Sequence, residues 1–138
     1  MKKLSILVLL IFSLNLIWEF SHYKLYVDLT GIPSNLHLII ASLTDLFLIL
    51  IIFLINSIFR KSVSWIENTK KSDYAVIVIL GVLIAIIIEI YSLSRGRWLY
   101  TESMPMIFGI GISPLIQLFT TSIISIKLFE LFNFFNKR

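Results

Sequence analysis

The sequence predicts an all-α, polytopic membrane protein: one domain, residues 1–138, folded as a four-transmembrane-helix bundle. Three observations predict it. Of 138 residues, 58% are hydrophobic and 14% charged, against about a quarter charged in ordinary soluble domains. The mean hydropathy is +0.95. The apolar residues fall into four runs, each near the ~20 residues that a spanning helix needs. The length suits one compact unit rather than two.

The first span runs from about Leu4 to Tyr26. It opens with Met1-Lys2-Lys3 and a Leu/Ile run, which is also the layout of a secretory signal. Cleavage of a signal needs small residues in an A-x-A-like arrangement. Leu16-Ile17-Trp18-Glu19-Phe20 is bulky throughout, so a retained helix is expected. Thr30-Gly31-Ile32-Pro33-Ser34-Asn35 is a turn-rich connector. The second span, about 36–59, holds an unbroken run of Leu, Ile and Phe from Leu46 to Ile55. A polar, basic loop follows, from Arg60 to Ser72. Asp73 can cap the third span, about 73–94, which Arg95-Gly96-Arg97-Trp98 closes. Pro105 suits the first turn of a fourth helix, about 105–135, because a missing N–H costs little there.

Orientation follows from the lysines and arginines. With the N-terminus inside, the inner segments hold Lys2, Lys3, Arg60, Lys61, Lys70, Lys71, Lys137 and Arg138. The outer loops hold Lys24, Arg95 and Arg97, and Lys127 lies within the fourth span. The excess favours both termini in the cytoplasm of a multi-pass protein of the cell membrane. Trp18, Tyr23, Tyr26, Trp98 and Tyr100 then form an outer aromatic belt. The net charge of +4 belongs to this topology and not to nucleic-acid binding. The absence of cysteine excludes disulfides, thiolate nucleophiles and Cys-ligated metals.

Polar residues inside a membrane are costly and mark functional sites by default. Asn15, Glu19, His22 and Tyr26 recur at i, i+4, i+7 and i+11, within about 60° of one another on a helix. His37 opens the second span and Asp45 lies deeper, with Ser42 and Thr44 beside it. Gly81, Ala85 and Glu89 share one face of the third helix, where small residues let a neighbour approach. Gly109, Ser113 and Gln117 repeat that spacing in the fourth, and Pro114 is expected to free the carbonyl of Ile110. Glu19, Asp45, Glu89 and Gln117 thus converge at one depth in the outer half. Arg95 and Arg97 form a rim that either clamps an anionic group or anchors the interface.

Several chemistries fit these residue types. Glu19 and His22 have the Glu-x-x-His spacing of paired metal ligands, with His37, Asp45 and Glu89 as candidates to complete a set. A di-metal bundle needs that motif twice, and the chain has it once. Asp45 and Glu89 could act as an acid–base pair. The motifs around the two aspartates of lipoprotein signal peptidase-type intramembrane peptidases are absent. No phosphate-binding loop, dinucleotide fingerprint or serine-nucleophile motif occurs, and no cofactor is indicated.

Trp18-Glu19 with Leu25-Tyr26, His37 with Asp45, Gly96-Arg97-Trp98 with Tyr100 and Met104-Pro105, and Ser113-Pro114 with Gln117 resemble the pattern of a group of small bacterial four-span membrane proteins. The resemblance spans most of the chain. It implies an inner-membrane protein with its site in the outer-half polar set, and brings no activity.

The expected site is therefore Asn15, Glu19, His22, His37, Asp45, Glu89, Arg95, Arg97 and Gln117. The leading expectation is binding or transport of a small polar or amphipathic ligand, with Glu19 and Glu89 as ionisable anchors. The alternatives are a membrane-embedded enzyme acting on a lipid or lipid-linked substrate, with or without a metal, and a small subunit of a larger complex. The expected partners are the lipid bilayer, a lipid or small-molecule ligand, and further copies or subunits.

Overall fold

The computed structural model describes residues 2–135. Lys137 and Arg138, two of the cations that bear on orientation, lie outside the described residues. Four helices carry the fold: α1 (Lys2–His22), α2 (Ser34–Arg60), α3 (Lys71–Ser94) and α4 (Ile112–Phe135). All four are long and apolar enough to cross a membrane, which is the architecture of a multi-pass membrane protein.

The helices are apolar outside and partly polar inside. Phe47, Leu54, Ile58 and Phe59 on α2 and Ile79 and Ile87 on α3 are all more than half exposed. Asn15, Ser42, Ser122 and Ser125 are fully buried. That distribution is stable where the exterior is hydrocarbon, since burying the outer residues would then gain little. The buried hydroxyls answer to their own helices. Ser42 donates to the Leu38 carbonyl at 2.7 Å, Ser122 to Leu118 at 2.6 Å and Ser125 to Thr121 at 2.7 Å. Mid-bundle, Ile11, Ile49, Ile52, Ile77 and Ile126 close a dry core.

Around the bundle α1 packs on both α2 and α4, and α3 packs on α4. The α2–α3 contact is the sparsest side of the ring. Gly81 explains the tight α3–α4 side. A Cβ at this position would stand 3.0 Å from both Cβ and backbone N of Phe119, so a larger residue would push the two helices apart by a few tenths of an ångström.

The connections at one end of the bundle are more ordered than the sequence suggests. α1 stops at His22, a 3₁₀ turn covers Tyr23–Leu25, and β1 (Tyr26–Asp28) pairs antiparallel with β2 (Trp98–Tyr100). Tyr26 is therefore a strand residue and not the last member of the α1 stripe. The register sets Tyr26 opposite Tyr100 and Asp28 opposite Trp98. Strand alternation turns these four towards the bundle and leaves Val27 and Leu99 exposed.

The fourth helix begins at Ile112, seven residues later than Pro105. Met106–Ile107 (β3) and Ile110–Gly111 (β4) form a hairpin instead. Phe108 and Gly109 both have positive φ, 50° and 79°, as a two-residue primed turn requires. Gly109 thus belongs to a turn and not to a helical stripe with Ser113. Pro114 lies in the first turn of α4, where the helix has no N–H acceptor to lose. It breaks no helix, contrary to the expectation from sequence.

The other end of the bundle is tied by structural polar contacts. Asp73, buried in the first turn of α3, accepts the Lys70 backbone N–H at 2.7 Å and the Asn56 amide at 3.2 Å. Arg60 Nε stands 3.4 Å from the same carboxylate. Trp65, buried under the α2–α3 loop, donates to Ser57 Oγ at 2.9 Å and meets Phe53 edge-on.

Candidate functional site

A cavity of about 240 Å³ lies at the end of the bundle that carries the β1–β2 ribbon. One wall is a stripe on α2 (His37, Ala41, Thr44, Asp45), and the facing wall is a stripe on α3 (Ala85, Ile88, Glu89, Ser92). Glu19 and His22 of α1 and Pro114 and Gln117 of α4 form the back. Tyr26, Asp28 and Trp98 cover it from the ribbon, with Arg97 at the edge. Glu19 lies three residues before the end of α1, while Glu89 and Gln117 lie five residues from the ends of theirs. At ~1.5 Å per residue the site is roughly 5–8 Å below the ends of these helices.

The centre is built on Gln117. Its Nε2 donates to Glu19 Oε1 at 2.7 Å and to Asp45 Oδ2 at 2.6 Å. One amide thus holds the two carboxyl groups side by side. Asn15, fully buried one turn below Glu19, anchors its amide on the Ile11 carbonyl at 2.9 Å. Its Oδ1 stands 3.2 Å from Thr121 Oγ1 and 3.5 Å from Gln117 Nε2. Asn15 thus supports Gln117 from beneath and does not line the cavity.

His22 sits between two helices. One ring nitrogen, Nδ1, is 2.8 Å from Ser113 Oγ, and the other, Nε2, is 3.4 Å from Glu19 Oε2. Both ring positions are thereby engaged. Its ring also meets those of Trp18 and Tyr26 edge-on.

Glu89 faces the same cavity from α3 but belongs to a different set. Its Oε2 accepts the Tyr100 hydroxyl at 2.5 Å and the Trp98 indole N–H at 3.3 Å. Burial, and then the hydrogen bond to Glu89, push the Tyr100 hydroxyl above its ordinary pKa, so it stays a donor. The ribbon is thereby tied to α3 through a carboxylate.

His37 does not join Asp45. It contacts Asp28 through Nδ1, and Asp28 also accepts the Tyr23 hydroxyl at 3.0 Å and the Thr30 N–H and hydroxyl at 2.9 and 2.7 Å. This cluster locks the β1–α2 connector over the cavity. Burial works to raise the Asp28 pKa, but the bonds from Thr30, His37 and Tyr23 outweigh it and hold the carboxyl below its ordinary range.

The two arginines separate. Arg97 lines the cavity edge with its guanidinium 5.8 Å from the Trp98 ring centre. Arg95 lies outside the lining, over Tyr91 at 5.6 Å. Neither pairs with Glu19, Asp45 or Glu89 among the described residues.

The candidate metal ligands Glu19, His22, His37, Asp45 and Glu89 all line the cavity but do not gather into a metal-binding group. Among the described residues no three His, Asp or Glu side chains are arranged to hold a metal ion. His37 is drawn to Asp28, and Glu89 to the ribbon.

Several contributors escaped the sequence reading. Thr121 was legible, one turn beyond Gln117 on the same face. Asp28-Leu29-Thr30 carries the Asp-x-Thr signal of a side chain closing a local turn, which pointed to the connector but not to His37. Ser113 carries only a spacing signal, and Tyr100 and Trp98 only that of interfacial aromatics. The comparisons add no assignment: no protein-family model, no curated protein and no solved structure matches this chain.

Proposed function

We propose that this membrane protein binds or transports a small polar or amphipathic ligand in the cavity between α2 and α3. The observation that carries the reading is the convergence of Glu19, Asp45 and Glu89 from three helices on one cavity, with no Lys or Arg pairing any of them among the described residues. Carboxyl groups at membrane depth without a lysine or arginine partner cost several kcal/mol as ions, a cost that His22, neutral donors, ligand contacts or a shared proton offset. Glu19 and Glu89 are the anchors, Asp45 shares Gln117 with Glu19, and Arg97 stands at the edge. The lysine and arginine distribution favours both termini in the cytoplasm, with the cavity towards the extracytoplasmic side of a bacterial inner membrane.

The test is a thermal-shift panel of alkyl amines, alkyl phosphates, fatty acids and lysolipids on the purified protein. At least one class raises the unfolding midpoint of the wild type. Glu19→Gln and Glu89→Gln erase that shift while remaining monodisperse. If no class gives a shift, or if both variants aggregate, the carboxyls are structural and the reading fails.

The His22 geometry favours a second reading, acid–base catalysis on a lipid-linked substrate. Its ring is held between Ser113 and Glu19, as a general base is oriented by a neighbouring carboxylate. A lipid extract incubated with wild-type or His22→Gln protein and compared by mass spectrometry decides. A product made only by the wild type supports catalysis, and identical extracts remove it.

A further inference from the structure

We infer that the ligand carries an ammonium group on an apolar tail and reaches the cavity sideways, between α2 and α3. This rests on the ligand-binding reading above and adds the charge and the route.

The charge follows from the walls. Four carboxyl side chains, Glu19, Asp28, Asp45 and Glu89, line the cavity, against one guanidinium, Arg97, and the imidazoles of His22 and His37, each of which already lies against a carboxyl group, Glu19 and Asp28. That guanidinium is at the edge and exposed, over the Trp98 ring. An anionic group at the back of the cavity would face three carboxyls. An ammonium there finds acceptors on every side, because carboxylates and carboxyls both offer lone pairs. Tyr26 and Trp98 also line the cavity, their rings meeting edge to face with centres 6.0 Å apart, and aromatic rings can attract cations.

The route follows from the roof and the flank. The β1–β2 ribbon and the Asp28–His37 cluster cover the end of the cavity. On the flank, the lining includes Ile40 and Thr44, both exposed on the outer surface of α2, and Ile88 opposite on α3. The α2–α3 side is the most sparsely packed side of the helix ring. The cavity, about 240 Å³, is smaller than drug-sized ligand pockets, about 300–1,000 Å³. It accommodates a head group, while a tail would pass between Ile40 and Ile88 into the surrounding apolar phase.

The experiment uses the full chain in dodecyl maltoside, read by titration calorimetry and Trp fluorescence. The probes share one tail: decylammonium, decyl phosphate and decanol. Propylammonium reports a free amine without a long tail, and phosphatidylethanolamine against phosphatidylglycerol reports a lipid head group. Decylammonium is expected to saturate at one site and to bind at least tenfold tighter than the other two decyl probes and propylammonium. Glu89→Gln and Asp45→Asn weaken it at least tenfold, and Thr44→Trp, which fills the flank opening, does the same. Competition by phosphatidylethanolamine but not phosphatidylglycerol identifies the source as a lipid. Absence of such competition, with decylammonium still bound, identifies a free amphiphile. Tightest binding by decyl phosphate or decanol overturns the ammonium assignment and leaves the ligand-binding reading standing. Equal binding of propylammonium, or full binding by Thr44→Trp, overturns the lateral route. No binding by any probe overturns both readings.

Discussion

The Gln117 side-chain nitrogen stands 2.6 Å from Asp45 Oδ2 and uses its second hydrogen on Glu19, 2.7 Å away. One primary amide on α4 therefore holds a carboxyl from α1 and another from α2. Three helices meet through one side chain. Replacing it by leucine removes both donors, and each buried acceptor left unpaired costs about 1–3 kcal/mol. Gln117→Leu should lower the unfolding midpoint in detergent by several degrees. Gln117→Glu should be at least as damaging, since it replaces the donor with a third carboxyl. A Gln117→Leu midpoint equal to the wild type would show that the bridge carries no stability.

Tyr100 ties the ribbon to α3 through Glu89. Tyr100→Phe keeps the ring against Tyr26 but removes the 2.5 Å donor. The expected loss is about 1–2 kcal/mol, within the range for a hydrogen bond to a charged or buried acceptor. Amide exchange of Thr101, which donates to the Leu25 carbonyl at 3.0 Å, should quicken with it. Unchanged exchange would mean that strand pairing alone holds the ribbon.

Gly81 is a packing position. A single added methyl meets Phe119 at 3.0 Å, including its backbone nitrogen, which a rotamer change does not relieve. Gly81→Ala should destabilise the bundle by about 1–3 kcal/mol, the usual cost of overpacking. Ala85→Gly, on the same face one turn on, leaves that contact untouched and separates the steric effect from a helix-propensity effect. Equal stability of Gly81→Ala and wild type would place the two helices farther apart than the structure does.

The connector over the cavity should loosen in acid. Asp28 titrates below the ordinary carboxylate value, despite burial, because Thr30, His37 and Tyr23 donate to it. A carboxyl with a lower pKa folded than unfolded stabilises fully above its unfolded value and loses that contribution as pH falls through the folded one. The contribution is therefore intact above about pH 4 and fades below it. Protection of the Thr30 amide, which donates to Asp28 at 2.9 Å, should hold down to about pH 4 and fall progressively below it. Asp28→Asn should be already loose at pH 5 and lack the step. A flat profile in the wild type would contradict this account.

Orientation is directly measurable because the chain has no cysteine of its own. Asn35→Cys and Glu102→Cys lie exposed at the cavity end, and Ser64→Cys lies exposed at the other. A membrane-impermeant maleimide should label the first two on intact cells and Ser64→Cys only after lysis. The opposite pattern would put the cavity on the cytoplasmic side.

The sequence by itself determined the four spans and the phase of their polar stripes. A long apolar run excludes most alternatives to a membrane helix, and 3.6-residue periodicity fixes which residues share a face. Hence Glu19, Asp45, Glu89 and Gln117 were legible as a converging set, and Gly81 as a point of close approach. Choice of partner was not legible. Periodicity says that Glu89 faces inward but not what it meets, and it sets His37 and Asp45 only loosely on one face. The partners of Glu89 and His37 depended on two loops, distant in sequence, pairing as β1 and β2, which brought Tyr100 and Trp98 over Glu89 and placed Asp28 against His37. The start of α4 was hidden for a related reason. Met106 to Ile112 is as apolar as a helix, and its Phe108-Gly109 turn lacks the polar residues that usually announce a hairpin. Moving that start to Ile112 turned Pro114 from a helix breaker into a first-turn residue. It also set Ser113 beside His22 and Gln117 between two carboxyls, contacts that only three-dimensional packing decides.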